Sequence, residues 1–180
     1  MTATITPRPV HRRTIENLAW LHEDGALEIE SRLIDIKGYD TKIGFNRDLP
    51  AGDAVHDMTI NIVLESDWRI RQIRLHMESA PFSVCPEVIR RFEGLRGESM
   101  GKGWNALLSS RFAGSSGCRH LIDLLRGMAT VAFQSMHRST WTKQAIDGIS
   151  DSCHAFRKDG EVIKRLTVDL DSRSKRVTEG

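Results

Sequence analysis

Four stretches in the first half of the chain alternate apolar and polar residues with the period of a β-strand. The clearest is 26–37, where every second residue from Leu27 to Asp35 lies on one face. The other three stretches are 14–22, 56–65 and 68–79. Asp24-Gly25 and Ser66-Asp67 are turn signals between neighbouring stretches. Alternating runs joined by short turns predict an antiparallel sheet of about four strands.

The pattern changes to a helical period in the second half of the chain. The strongest helix is predicted from Cys118 to about Met136, where apolar residues recur at helical spacing. Weaker helical stretches are 86–95, 104–112 and 141–150. Strands first and helices afterwards predict an α+β fold, in which the C-terminal helices pack on one face of the sheet.

We divide the chain into a flexible lead-in at 1–13, a single α+β domain at 14–168 and a charged, frayed tail at 169–180. The lead-in carries two of the five prolines and has no periodicity. Within the domain, 38–55 is rich in glycine and poor in apolar periodicity. It predicts a long loop, and because loops of that length are usually functional or mobile, it is a candidate lid over a site.

Composition narrows the class of protein. The 180 residues include 26 Lys+Arg and 24 Asp+Glu, for a net charge of +2, which favours neither a nucleic acid nor a membrane as partner. An odd number of cysteines, without an apolar export segment near the start, favours a reducing compartment, so we expect a cytoplasmic protein. A small-molecule substrate and a homo-oligomer are both left open.

Metal-ligating side chains cluster where predicted elements begin. His56-Asp57 opens the third strand, Cys85 follows the fourth, and Cys118-Arg119-His120 opens the strongest helix. Zinc and iron prefer thiolate and imidazole ligands, although none of these spacings is a zinc-finger signature. We therefore predict a mononuclear zinc or iron site whose ligands come from one set: His56, Asp57, Cys85, Cys118 and His120. Because neighbours on a strand face opposite ways, only one residue of the His56-Asp57 pair can face the helices.

Cys118 also suits a different chemistry. At a helix start, unpaired backbone N–H groups stabilise an anion, which favours a metal ligand and a nucleophile equally. A small buried hydrophobe is the plain alternative. Asp35 is a polar residue on an apolar strand face, where Lys37 is the nearest partner. A structural ion pair and a general acid or base both remain open for Asp35.

Three hypotheses about function follow. The first is a metal-binding protein. The second is a small metal-free catabolic enzyme with Cys118 as nucleophile, His56 or His120 as base and Asp35 in acid–base work. The third is a non-catalytic interaction module. The role of Cys153 and His154 near the C-terminus is left open.

Several short segments together resemble the DUF2889 family of uncharacterised bacterial proteins. They are Leu33-Ile34-Asp35-Ile36-Lys37, Val55-His56-Asp57-Met58, Ala80-Pro81, Cys85-Pro86, Gly117-Cys118-Arg119-His120-Leu121, Leu124-Leu125, Phe133-Gln134 and Asp151-Ser152-Cys153-His154-Ala155. The resemblance runs from about Thr14 to Val168 and implies a bacterial protein without an assigned activity. Arg119 stands where the family resemblance leads us to expect Thr, so it adds a charge beside the predicted site.

The predicted layout is also similar, more distantly, to the iron–sulfur cluster assembly scaffolds. That resemblance implies a cluster or zinc held by three cysteines with nearby Asp and His, and it matches Asp57, Cys85 and Cys118 to three of those positions. His56 stands beside the place of the missing first cysteine, and His120 follows Cys118 where the scaffold's His precedes its cysteine. These departures argue against cluster assembly and leave a mononuclear metal site.

Overall fold

The structure is a computed structural model that describes residues 8–136 and 141–178. The chain divides after Ser135 into two compact units, which are described separately. The single domain predicted over 14–168 stays a prediction. Of the predicted lead-in, 1–7 lies outside the described residues and 11–13 belongs to the first strand.

The first unit is built on a four-stranded antiparallel sheet, as predicted. In chain order the strands of the unit are β1 (His11–Leu21), β2 (Leu27–Lys37), β3 (Thr41–Ile43), β4 (Arg47–Leu49), β5 (Ala54–Leu64) and β6 (Ile70–Ser79). The large sheet has the order β1-β2-β5-β6, while β3 and β4 form a separate hairpin. Alternation in β2 buries one face almost completely, from Leu27 to Asp35. The α+β class is therefore confirmed.

The turn between β1 and β2 sets the register on which the site depends. Gly25 takes a φ of 85°, which Asp-Gly turns require, and the His22 amide donates to the Ala26 carbonyl at 2.9 Å. Continued along the strands, this register places Arg13 opposite Asp35. On the other side of β2, Asp35 lies opposite His56 of β5. Three strands thus bring polar residues together at one end of the inward face.

The segment 38–55 is not the long loop that its composition predicts. Its short strands β3 and β4 pair as a hairpin, and their apolar residues Ile43 and Leu49 are buried with Val55. The tip approaches the chain after β6, since a Cβ at Gly44 would meet the Pro81 carbonyl oxygen at 2.6 Å. Strands of three residues are too short to show a period, so the sequence pattern does not predict this hairpin.

The helices of the first unit follow the predicted order. A 3₁₀ turn at Cys85–Val88 leads into α1 (Ile89–Glu93), followed by α2 (Trp104–Arg111) and α3 (Arg119–Met136). The apolar stripe of α3 is fully buried: Leu121, Leu124, Leu125, Met128 and Ala132. Its partners include Trp104, whose indole N–H donates to the Leu125 carbonyl at 3.0 Å. Gly127 faces Asn17 of β1, so α3 lies over the inward face of the sheet.

The second unit contains α4 (Lys143–Ile149) and α5 (Glu161–Thr178). Thr142 caps α4, its hydroxyl accepting a hydrogen bond from the Ala145 amide at 3.1 Å. The charged tail predicted from 169 is instead part of α5, as far as the described residues extend. Its apolar residues Ile163, Leu166 and Leu170 recur at helical spacing among many charged residues, and of the α5 side chains that the structure describes only Ile163 is deeply buried. No helix in the described ranges is long and apolar enough to span a bilayer.

Candidate functional site

One carboxylate and two imidazoles meet at the end of the sheet beneath the start of α3. Asp35 Oδ2 lies 3.1 Å from His56 Nδ1 and 3.5 Å from His120 Nε2. One ligand atom from each of the three side chains lies within 4.8 Å of the others. Within the described part of the chain, this is the one such group of three His, Cys, Asp or Glu residues. We call Asp35, His56 and His120 the Asp–His–His cluster.

Strand pairing positions Asp35 and His56, and the start of α3 positions His120. Asp35 and His56 are cross-strand neighbours, and the register shifts immediately after Asp35. Such a bulge changes the direction of the strand and is common next to functional sites. His120 is the second residue of α3, and the start of that helix is fixed by Gly117, where a Cβ would lie 2.5 Å from the Phe112 carbonyl oxygen. The cluster therefore depends on strand register and on one close backbone approach.

Arg13 and His11 of β1 hold the Asp35 carboxylate from the edge of the sheet. Arg13 donates from Nε to Oδ1 and from a terminal nitrogen to Oδ2, both at 2.7 Å, and His11 Nε2 lies 3.1 Å from Oδ1. The Asp35 side chain is only 1% exposed. Burial alone would raise the pKa of Asp35, but the hydrogen bonds and charge of Arg13, with help from His11, lower it to about 2. Asp35 is thus a carboxylate at neutral pH.

The surroundings of the two imidazoles lower the pKa of each and so favour their neutral forms. Burial lowers the pKa of His56, and the neighbouring His120 lowers it further. Burial likewise lowers the pKa of His120, with a second contribution from the positive charge of Arg13. The rings lie close together, with centroids 3.9 Å apart and planes tilted by 35°. Each ring therefore has a lone pair available, the state in which imidazole binds a metal or accepts a proton.

Cys118 extends the cluster through His120. Its Sγ lies 3.8 Å from His120 Nδ1, and the other ring nitrogen of His120 faces Asp35. The Cys118 carbonyl accepts the hydrogen bond of the Ile122 amide at 3.0 Å, which places the cysteine at the N-terminal cap of α3. The half-buried Cys118 thiol thus contacts the His120 imidazole, which in turn contacts the Asp35 carboxylate.

Two of the predicted ligands, Asp57 and Cys85, are not members of this cluster. Asp57 follows His56 on β5 and faces the opposite side of the sheet, where Arg32 binds it through two hydrogen bonds of 2.9 and 2.7 Å. Cys85 is half-buried in the 3₁₀ turn after β6. Of the other predicted ligands, His56 and His120 lie together beside Asp35, and Cys118 contacts His120. Cys153, whose role the sequence leaves open, is exposed in the second unit.

Sequence reasoning missed the role of β1. The sequence pattern places its first residues, His11 and Arg13, in a flexible lead-in and favours Lys37 as the partner of Asp35. The partner of the carboxylate is Arg13, which also approaches Asp123 of α3 at 3.6 Å. The available signal was the alternation of β1, since extending it backwards from Ile15 places Arg13 and His11 on the same face.

The donor set determines what this arrangement can do chemically. One carboxylate and two imidazoles form a set that binds zinc and non-haem iron. The same groups without a metal can move a proton between a thiol and an imidazole that a carboxylate orients.

The comparisons with known proteins show a family but assign no activity. No curated protein and no solved structure matches the chain, so the likeness to iron–sulfur cluster scaffolds stays a prediction. A family model described as a protein of unknown function matches residues 11–134, a range that includes all six strands and most of α3. The chain therefore belongs to the DUF2889 family.

Proposed function

We propose that the protein binds one divalent metal ion, zinc or ferrous iron, through Asp35, His56 and His120. The observation that carries the proposal is the convergence of their donor atoms on Asp35 Oδ2, at 3.1 and 3.5 Å. Nitrogen and oxygen ligands at about 2.0–2.1 Å from a tetrahedral zinc are themselves separated by about 3.3 Å. The observed separations fit that requirement without a large rearrangement.

Charge and protonation support the same proposal. Metal binding requires a deprotonated carboxylate and neutral imidazoles, and the lowered pKa values of Asp35, His56 and His120 favour those forms. Arg13 and His11 contact the same carboxylate and would orient it, as the outer partners of metal ligands do. Three protein ligands leave a coordination position for water or substrate, which would permit Lewis-acid catalysis or attack by a metal-bound water.

Elemental analysis tests this proposal directly. Protein purified without chelators or a metal-affinity tag should contain stoichiometric zinc or iron. His56→Ala and His120→Ala should each lose the bound metal, with affinity reduced by more than about 10-fold in titrations of apoprotein. His76→Ala is the matched control, because His76 is an exposed imidazole that pairs with Glu78 and is not a member of the cluster. Metal retained in both cluster variants, or absent from fresh anaerobic protein that also fails to take it up, would overturn the proposal.

A second candidate function rests on the contact between Cys118 and His120. In this alternative the Cys118 thiol gives its proton to His120 Nδ1, and Asp35 stabilises the resulting imidazolium through Nε2. The thiolate would then attack an electrophilic carbon of a substrate. Geometry favours His120 over His56 as the base, because His120 is the imidazole that contacts the sulfur.

The three cysteines provide an internal comparison for this alternative. Iodoacetamide alkylates a thiolate by forming an S–C bond and releasing iodide, while the thiol proton passes to the base or solvent. Half-buried Cys118 should react faster than exposed Cys153 when peptides are followed by mass spectrometry, and His120→Gln should remove that advantage. Slower reaction at Cys118 than at Cys153 would exclude an activated nucleophile.

A further inference from the structure

A groove beside the start of α3 has no role in the metal site. It lies between α2, the turn at 114–117 and α3, and encloses about 360 Å³, within the range of small-ligand sites. Its apolar lining comes from Leu108, Phe112 and Ile122. Its polar lining comes from Arg119 and Arg126 of α3, with Ser109 of α2. The groove thus combines an apolar floor with two guanidinium groups.

The charges along the groove have one sign. Arg119 is exposed and, among the described residues, has no acidic side chain within ion-pair distance. Arg126 donates a hydrogen bond of 3.1 Å to the Ser109 hydroxyl, which is neutral. No Asp or Glu is among the described residues that line the groove. Two cations next to an apolar surface, neither in an ion pair with a described acidic side chain, make a complementary site for an anion.

Helical spacing separates this groove from the Asp–His–His cluster. Arg119, Ile122 and Arg126 follow one another at intervals of three and four residues, so they share one face of α3. His120 lies on the neighbouring face, towards Asp35. Asp123 is one helical turn from both Arg119 and Arg126, but its carboxylate lies 3.6 Å from Arg13 of β1. The groove and the Asp–His–His cluster approach each other at the start of α3. Gly117 and Arg119 line the groove, and Cys118 between them contacts His120 of the cluster.

We propose that this groove binds a small organic anion with an apolar body, such as a medium-chain or aromatic carboxylate. Arg119 and Arg126 hold the carboxylate, since guanidinium groups bind carboxylates through paired, charge-assisted hydrogen bonds. The apolar body lies against Ala113 and Ile122, because Leu108 and Phe112 are only 0% and 2% exposed and lie beneath the surface of the groove. This proposal does not depend on a metal at the Asp–His–His cluster.

Calorimetric titration of the full-length protein with sodium octanoate tests the proposal. Wild type should bind octanoate saturably, with one site. Arg119→Gln and Arg126→Gln should each weaken that binding by about 10-fold, the effect of one lost charge-assisted contact. Both side chains are exposed, so the variants should keep the fold, which circular dichroism would verify. Arg111→Gln is the matched control, because Arg111 is exposed but already pairs with Glu98 at 2.8 Å.

Ligand controls separate the apolar and the charged contributions. 1-Octanol and inorganic phosphate should each bind much more weakly than octanoate, because 1-octanol lacks the negative charge and inorganic phosphate lacks the apolar body. Binding should persist in His56→Ala, so a failure here is distinguishable from a failure of the metal proposal. Octanoate binding that is absent, unchanged by both arginine variants or matched by octanol would overturn the proposal.

Discussion

The His56 imidazole lies 3.9 Å from the His120 imidazole, measured between ring centroids, and each ring has a nitrogen close to Asp35 Oδ2. Burial lowers the pKa of both rings; the neighbouring His120 lowers that of His56 further, and the charge of Arg13 lowers that of His120. A strand and a helix thus supply to one carboxylate two imidazoles whose neutral forms are favoured.

Neighbouring residues on β5 should behave differently in metal binding. His56 faces the cluster, whereas Asp57 faces the opposite side of the sheet and pairs with Arg32. We expect Asp57→Asn to retain the metal content of wild type, and Cys85→Ser to do the same. Elemental analysis of these variants beside His56→Ala checks this. Metal loss in Asp57→Asn, with the fold intact, would instead support Asp57 as a metal ligand, as the sequence predicts.

Acid should destabilise the protein through Asp35. Its pKa is lowered from 3.8 to about 2, so its ion pair stabilises the folded state fully above the ordinary pKa and is lost as the pH falls through about 2. The shift corresponds to about 2 kcal/mol of unfolding free energy at neutral pH. Urea denaturation of metal-free protein between about pH 6 and pH 2 measures this contribution.

Asp35→Asn provides the comparison for that measurement. The variant is less stable at neutral pH because Arg13 loses its charged partner, but its stability should fall less steeply with acid. The other carboxylates are common to both proteins. The difference between their curves of unfolding free energy against pH therefore gives the contribution of Asp35. Parallel curves for wild type and variant would contradict the assigned ion pair.

Two glycines near α3 should respond in opposite directions to alanine. A Cβ at Gly117 would lie 2.5 Å from the Phe112 carbonyl oxygen, so Gly117→Ala should displace the turn before α3 and lower the unfolding free energy by about 1–3 kcal/mol. A Cβ at Gly127 would lie 3.5 Å from Asn17, an ordinary contact. Gly127→Ala should therefore be neutral or stabilising by about 0.5–1 kcal/mol. Chemical denaturation measures the unfolding free energy of both variants. A Gly117→Ala variant as stable as wild type would show that the turn adapts to the added Cβ.

Ser31 should be replaceable without loss of stability. Its side chain is fully buried in β2, and its hydroxyl oxygen has no hydrogen-bond partner among the residues that the structure describes. Removing a buried polar atom that lacks a partner removes a desolvation penalty, so Ser31→Ala should leave the unfolding free energy unchanged or raise it by up to about 1 kcal/mol. Thr142→Ala is the contrast, because it removes the cap of α4 and should cost about 1 kcal/mol. A clear destabilisation of Ser31→Ala would indicate that the hydroxyl is satisfied in solution.

Local patterns along the chain were sufficient to predict most of the elements. Alternation over 26–37 and the helical spacing of Leu121, Leu124 and Leu125 each report which face of an element is buried, and burial follows the period of the backbone. The same patterns failed for the hairpin within 38–55, whose strands are too short to show a period. They failed again for α5, which is dominated by charged residues.

The apolar face of β2 and the apolar stripe of α3 are visible in the sequence and are enough to predict that the helix covers the sheet. Which polar residues meet there depends on how the strands and the helix pack together. The register of β1 against β2 selects Arg13 rather than Lys37 for Asp35, and the position of α3 brings His120 onto His56. Such choices depend on turn geometry and on the approach of backbones at Gly117, which are long-range steric constraints without a periodic signal in the sequence.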